Sequence, residues 1–140
     1  MDLAILKAEL LADPAGLGYA PLLAAGADGT VADLLNAVRD TISIDRGVIP
    51  SYEIVNATAP AEWTALSASE KQRYQTLTGA GQVDSGNINV RAAFQAMFAA
   101  GTATRTALVA LVTRKGSRAE QVFGPGVVVD FMSIAEARRS

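Results

Sequence analysis

The sequence predicts a mainly α-helical fold: a compact bundle of about six to eight short helices, with extended backbone near residues 42–50 and at 127–129. Alanine fills 27 of the 140 positions, and alanine has the highest intrinsic helix propensity. Aromatic residues make up only 6% of the chain, too few for the aromatic and β-branched faces of a β-sandwich. Short periodic apolar stretches alternate with Gly, Pro, Asp and Asn, which typically end one helix and cap the next.

The composition excludes several classes of protein. Half of the residues are hydrophobic, 19% are charged and the formal net charge is −2, which is typical of a single globular domain, here residues 1–140. The chain has no cysteine and no histidine. It therefore has no disulfide, thiol nucleophile, Ser-His-Asp triad or histidine-ligated metal. No apolar run reaches the roughly 18 residues that a membrane-spanning helix needs. We expect no membrane segment and no cofactor.

The first predicted helix extends from residue 3 to residue 12. Asp2 is its N-cap, and Asp13-Pro14 ends it because proline disfavours helical backbone at the preceding residue. Its buried face follows the helical spacing of Leu3, Leu6 and Leu10. Residues 1–29 are thus expected to form an N-terminal helix and an apolar loop.

The apolar loop is predicted over residues 15–29, which contain four glycines and a proline. Tyr19 and the pair Leu22-Leu23 are expected to attach this loop to the core. An apolar stretch without helical periodicity stays out of water only when something covers it. The loop is therefore a candidate interface.

The next helix is predicted from a capping-box-like pair, Thr30 and Asp33. Its apolar positions have helical spacing: Val31, Leu34, Leu35 and Val38. Residues 40–50 then form a partly alternating, β-branched segment around Ile42 and Ile44. This pattern predicts an extended arm or a short edge strand, and a second candidate interface.

Capping signals predict the remaining helices. The expected N-caps are Ser51, Ser67 (boxed with Glu70), Asn87 or Asn89, Thr102, Ser117 (boxed with Glu120), and Asp130 or Ser133. Pro60 fits the first position of a further helix, where its missing N–H costs nothing. Glycines end several of these helices, and Gly116 is expected to end the one that begins at residue 102.

The two parts of the chain differ in charge. Residues 1–90 hold 5 basic and 11 acidic side chains and carry −6, whereas residues 91–140 hold 7 basic and 3 acidic side chains and carry +4. We expect the basic part to be a contact surface for the acidic part of a neighbouring copy or for another partner. The candidate interface residues are Tyr19, Leu22, Leu23, Ile42, Ile44, Arg114, Lys115 and Arg118.

No catalytic motif is present. Gly79-Ala80-Gly81 lacks the lysine of a phosphate-binding loop. The loop from Asp84 to Asn89 has Gln95 where an EF-hand would need its bidentate glutamate. Paired carboxylates are the remaining route to an enzyme, but most acidic residues lie at predicted helix starts, where the helix dipole favours them. The expectation is therefore a protein without enzymatic activity.

Several local patterns occur together in a familiar order. In chain order they are Glu9-Leu10-x-x-Asp13-Pro14, Gly18-Tyr19, Leu35-Asn36, Val48-Ile49-Pro50-Ser51-Tyr52-Glu53-Ile54, Trp63-x-x-Leu66, Ala103-Thr104-Arg105, Ser117-Arg118-Ala119-Glu120 and Ala135-Glu136-Ala137-Arg138-Arg139. Over nearly the whole chain this resembles a family of small, Ala-rich proteins encoded in tailed-bacteriophage genomes. The resemblance implies a phage origin and a place among virion proteins of the neck, tail or capsid surface. It brings no catalytic residues.

The resulting hypothesis is a structural component of a tailed-phage virion, assembled in the host cytoplasm, that acts through protein–protein packing. Its partners would be other virion proteins, copies of itself, or both. One alternative is a DNA-facing accessory protein that uses the basic C-terminal part, although a sequence pI near 5.0 disfavours nucleic acid. A third hypothesis is a phage enzyme that uses carboxylates and a metal ion.

Overall fold

The computed structural model describes residues 1–140 and is mainly helical, which confirms the predicted fold class. The ten helices are α1 (Leu3–Ala12), α2 (Tyr19–Ala24), α3 (Asp28–Asn36), α4 (Ser51–Ala57), α5 (Pro60–Thr64), α6 (Ala68–Thr78), α7 (Ile88–Met97), α8 (Ala103–Leu111), α9 (Arg118–Phe123) and α10 (Phe131–Arg139). The four strands are β1 (Val38–Asp45), β2 (Val48–Pro50), β3 (Gln82–Asp84) and β4 (Thr113–Ser117). They form two two-stranded sheets, β1 with β4 and β2 with β3.

The chain packs as two compact units. Unit 1 combines residues 1–44 with residues 115–140, and unit 2 is the continuous stretch 45–114. Each unit has its own hydrophobic cluster. The single domain over residues 1–140 stays a prediction, because this division describes packing within each unit and not whether either unit folds alone.

The core of unit 1 lies among helices from both of its chain segments. Helix α3 packs against α2, α9 and α10, and α1 packs against α2 and α10. The cluster is built from the buried residues Leu6, Leu10, Tyr19, Val31, Ala32, Leu35, Ala119, Val129, Ile134 and Ala137. The ends of the sequence therefore share one core.

The predicted apolar loop over residues 15–29 is wrong where α2 forms. Asp13 ends α1 in the left-handed region with φ 41°. Its carboxylate then accepts the backbone N–H groups of Leu17 and Gly18, at 2.7 and 2.8 Å. Gly18, with φ 87°, is the N-cap residue of α2. The glycines therefore flank a short helix, and the helix count rises to ten instead of six to eight.

Helix α3 begins earlier than predicted, at Asp28, and no side chain caps it. Thr30 and Asp33 lie inside the helix, so the predicted capping box is wrong. The helix ends at Asn36, and Val38 belongs to β1. Strand β1, which pairs with β4, therefore begins where the apolar spacing alone would have continued the helix.

The extended segment near residues 42–50 is confirmed as β1 and β2. In β1 the side chains of Ile42 and Ile44 are buried while their neighbours are exposed, as alternation along a strand requires. Gly116 does not end a helix, contrary to the prediction. It is buried in β4, and a Cβ at this position would overlap the Ile44 side chain.

The core of unit 2 contains four aromatic rings packed on one another. Tyr74 contacts Trp63, Phe94 and Phe98, with ring centroids 4.9 to 6.3 Å apart. Helix α4 packs against α8, and β2 pairs antiparallel with β3, placing Ile49 opposite Val83.

Most predicted N-caps of the later helices are confirmed. Both capping boxes form, at Ser67 and at Ser117, and Asn87, Thr102 and Asp130 cap their helices. Ser51 is an exception. Pro50 occupies the cap position, and the Ser51 hydroxyl is buried without a hydrogen-bond partner.

Residues 127–129 belong to no strand or helix, so the extended backbone predicted there stays a prediction. The main chain of Val129 pairs instead with a side chain of α3. Its N–H donates to the Asn36 amide oxygen at 2.9 Å, and its carbonyl accepts from the Asn36 amide nitrogen at 2.6 Å. One asparagine supplies the two hydrogen bonds that a neighbouring strand would have supplied.

Candidate protein-binding surfaces

A buried ion pair connects α1, α2 and α9 in unit 1. Arg118 donates to both carboxylate oxygens of Glu9, each at 2.8 Å, and the Tyr19 hydroxyl lies 3.2 Å from one of them. Glu9 is only 6% exposed. The hydrogen bonds to Glu9 raise the pKa of Arg118. Burial and the neighbouring Glu9 charge raise the pKa of the Tyr19 hydroxyl. Arg118 therefore stays cationic and the Tyr19 hydroxyl stays protonated around neutral pH, and the hydrogen-bonded cluster links the three helices.

The structure places the predicted interface residues in different environments. Tyr19, Ile42 and Ile44 are buried within the chain itself and present no surface to a partner. Leu22 and Leu23 are half-buried against the unit 1 cluster. Folding of the chain itself therefore covers Tyr19, Ile42 and Ile44, which we expected a partner to cover.

The basic candidates also have positions of their own. Arg118 belongs to the buried pair with Glu9. Lys115 is exposed and pairs with Asp40 at 2.7 Å, and Arg114 is exposed in β4. Whether Leu22, Leu23, Arg114 or Lys115 touches a partner stays a prediction.

The charge difference along the chain is matched inside unit 1. Three ion pairs join the acidic N-terminal segment to the basic C-terminal segment: Glu9–Arg118, Asp28–Arg138 and Asp40–Lys115. Each of these basic residues has an acidic partner within the same chain, and whether any of them also meets the acidic part of a neighbouring copy stays a prediction. Opposite charges on distant segments here favour the closure of one unit.

An exposed apolar segment leads from the unit 1 core into the first turn of α10. Its side chains Val128, Phe131 and Met132 are 71%, 59% and 65% exposed. The segment is held in place, because Val129 is buried and Asp130 caps α10 by accepting the Ser133 N–H at 2.7 Å. We call residues 128–132 the apolar segment. Exposed large apolar side chains that lie together are candidates for a protein-binding site.

Unit 2 carries an apolar groove between α7 and α8. Its volume is about 200 Å³. Ile54 and Val83 contribute to it from α4 and β3. The two helices and the C-cap residue of α8 line it with Val90, Arg91, Phe94, Gln95, Arg105, Leu108, Val109 and Val112. We call this depression the unit 2 groove.

The unit 2 groove has two cationic side chains in its lining and no acidic one. Arg91 donates its Nε–H to the Ser85 carbonyl, and its guanidinium lies 3.9 Å from the exposed Asp45. Arg105 donates to the carbonyl of Phe98 at 3.1 Å. These contacts hold both guanidinium groups beside the groove. The Arg105 guanidinium bonds backbone carbonyls and not a carboxylate, so its positive charge is not cancelled.

Helix α8, one wall of the groove, is fixed by a carboxylate from another element. Glu62 of α5 accepts the backbone N–H groups of Ala103 and Thr104, at 3.1 and 2.7 Å. Hydrogen bonds from the Thr104 side chain and backbone lower the pKa of Glu62. The buried Thr104 hydroxyl in turn accepts the Ala59 N–H at 2.9 Å. The groove is therefore a preformed feature of unit 2.

The structure shows neither a metal-binding cluster nor a helix that could span a membrane. No group of three or more acidic side chains lies close enough together to hold a metal ion. No helix has both the length and the apolar character to cross a membrane. No protein-family model, curated protein sequence or solved structure was found to match the chain.

Proposed function

We propose that this chain is a structural protein of a tailed-phage virion and acts by packing against other protein subunits. The observation that carries the proposal is the apolar segment, where Phe131 and Met132 are exposed to solvent in the capped first turn of α10. Burying such side chains against a partner stabilises an assembly by about 25 cal/mol per Å² of apolar surface removed from water. The resemblance to Ala-rich phage proteins supports the virion as the place of that assembly.

The charged residues support packing over the two alternative functions. Carboxylates that an enzyme would need are engaged as helix caps or in ion pairs: Glu9, Asp13, Asp28, Glu62, Glu70 and Asp130. Of the basic residues that DNA binding would need, Arg118, Arg138 and Lys115 are engaged by acids of unit 1. No observation specifically favours either alternative.

Quantitative mass spectrometry of purified particles tests the proposal. Particles of the phage that encodes the chain should contain it at constant copy number through successive purification steps. A copy number of about six or twelve would place it in the neck or tail, where rings of subunits occur, and hundreds would place it on the capsid. A non-virion enzyme of the same phage, followed in the same samples, measures contamination. Loss of the chain in parallel with that enzyme would contradict the proposal.

A further inference from the structure

We propose that the unit 2 groove receives the apolar segment of a second copy of this chain, so that copies join head to tail. The inference rests on the proposed packing function and names the partner. Three observations carry it: the size of the groove, the charges beside it, and the presence of a matching surface elsewhere on the same chain.

The size of the groove favours protein side chains over a small-molecule ligand. Its volume of about 200 Å³ lies below the range of about 300–1,000 Å³ that is usual for small-molecule and cofactor sites. Protein interfaces are commonly anchored by aromatic side chains seated in desolvated pockets. Phe131 is such a side chain and is 59% exposed, and Met132 beside it is also exposed.

The charges of the two surfaces are complementary. Arg91 and Arg105 line the groove, which has no acidic side chain. Next to Phe131 the apolar segment carries Asp130, whose carboxylate bonds the backbone N–H of Ser133 and no cationic side chain. The Asp130 carboxylate beside Phe131 would therefore face the arginines beside the groove. Such charge complementarity fixes the orientation in which two proteins dock.

The apolar segment and the groove are different surfaces of the chain, so a contact between them can propagate from copy to copy. In the proposed head-to-tail arrangement every added copy leaves one apolar segment and one groove free. Such contacts produce a closed ring or an open filament. Head-to-tail contacts therefore suit the rings and tubes of a virion neck or tail.

A mixing experiment tests the head-to-tail contact. The segment variant carries Phe131→Ser and Met132→Ser, and the groove variant carries Val109→Glu. All three side chains are more than half exposed, so both variants should fold, which circular dichroism and thermal melting verify. Wild-type protein should associate with rising concentration in sedimentation velocity, with a dissociation constant on the order of micromolar because the contact is small. Each variant alone should remain monomeric.

An equimolar mixture of the two variants should form a complex of two chains and nothing larger. The segment variant keeps its groove and the groove variant keeps its apolar segment, so one contact forms and the defective surfaces stop further growth. A contact between two identical patches would not give this result. Leu11→Ser, which removes an exposed side chain outside both surfaces, should associate like wild type.

The charge argument has its own variant, Asp130→Asn. Asparagine is as good an N-cap as aspartate, so α10 is preserved while the charge is lost. Association should weaken by roughly 3- to 10-fold at low salt and become less sensitive to added salt. An unchanged affinity and salt dependence would show that Asp130 does not face the arginines and would contradict the proposed docking.

Wild-type protein that stays monomeric, or variants that fail to combine on mixing, would overturn the head-to-tail contact. If such a monomeric chain is nevertheless present in purified particles, the packing function stands and its partner is a different protein. If the variants combine but the chain is lost from particles, the contact stands and the virion assignment fails. The two proposals are thus separately falsifiable.

Discussion

Arg118 shows how one side chain secures the packing of unit 1. Its guanidinium and the Glu9 carboxylate are 16% and 5% exposed and are joined by two hydrogen bonds of 2.8 Å. Removing one member of a buried pair leaves the other charge without compensation, whereas removing both is often close to neutral. The ion pair therefore determines how α1 and α9 pack together more than it adds to the net stability of the fold.

Arg118→Met should lower the free energy of unfolding by about 3–5 kcal/mol, since it leaves the Glu9 charge buried alone. The double variant Glu9→Met, Arg118→Met should be more stable than the single variant. Lys115→Met, which breaks the exposed pair with Asp40, should change stability little. Urea unfolding of the four proteins measures these differences. A double variant less stable than Arg118→Met would contradict this account of the pair.

Asp13 makes stability depend on pH. Burial by itself would raise the pKa of Asp13, but hydrogen bonds from the N–H groups of Gly18, Leu17 and Tyr19, together with the Arg118 charge, hold it below its usual value. A folded-state pKa below the unfolded one means that the ionised carboxylate stabilises the fold above the unfolded pKa of about 3.9. That stabilisation is lost as the pH falls through the folded pKa.

Wild type should therefore be more stable than Asp13→Asn at pH 6, and the difference should shrink as the pH falls below about 4. Asparagine tolerates the left-handed backbone at this position, so the variant changes mainly the charge. Thermal melts of both proteins between pH 2 and pH 7 measure the difference. A difference that is constant across this range would assign the effect of Asp13 to shape and not to ionisation.

The packing of strand β1 against strand β4 depends on Gly116, which has no side chain. A Cβ on Gly116 would overlap Ile44 and lie 3.2 Å from the Ile44 Cβ and Cδ1 atoms. Both residues are buried, so neither can move into solvent. Gly116 is therefore required for close approach and not for an unusual backbone angle.

Gly116→Ala should destabilise the protein by about 1–3 kcal/mol through overpacking. Gly29→Ala is the matched control, because Gly29 lies in α3 with nothing within 4 Å of the new Cβ. It should stabilise the protein by up to about 1 kcal/mol, as alanine does in helices. Equal stability of the Gly116 variant and wild type would contradict the close packing of Ile44.

The elements that sequence could predict are those with local signals. The capping boxes at Ser67 and Ser117 need only the residues three positions on, so α6 and α9 were placed correctly. Strand β3 has three residues and depends on its partner β2. Gly116 carried the local signature of a helix end, but its position is decided by Ile44, 72 positions away in the sequence. Tertiary pairing overrides local signals at such places.

At the scale of the whole molecule, the charge difference between the two parts of the chain was visible in the sequence, but its use was not. Acidic and basic residues that are far apart in the sequence, such as Asp28 and Arg138, pair within unit 1. Composition cannot tell an intramolecular pair from an intermolecular one, because both satisfy the same attraction.

The candidate binding surfaces could not be predicted from the sequence, for a related reason. Phe131 and Met132 are exposed because the buried face of α10 is set by Ile134 and Ala137. The unit 2 groove exists only once residues of α4, β3, α7 and α8 are brought together. Exposure depends on which face of each helix the core uses, and that is fixed by packing across the unit.

Oxidation of the methionines measures directly whether the apolar segment is covered in the assembled state. Met132 is 65% exposed in the chain by itself and Met97 is 8% exposed, so dilute peroxide should convert Met132 to the sulfoxide quickly and Met97 slowly. In purified particles Met132 should be protected several-fold relative to the dilute, isolated chain, with Met97 slow in both samples. Oxidation of Met132 at the same rate in both samples would mean that no subunit packs against the apolar segment.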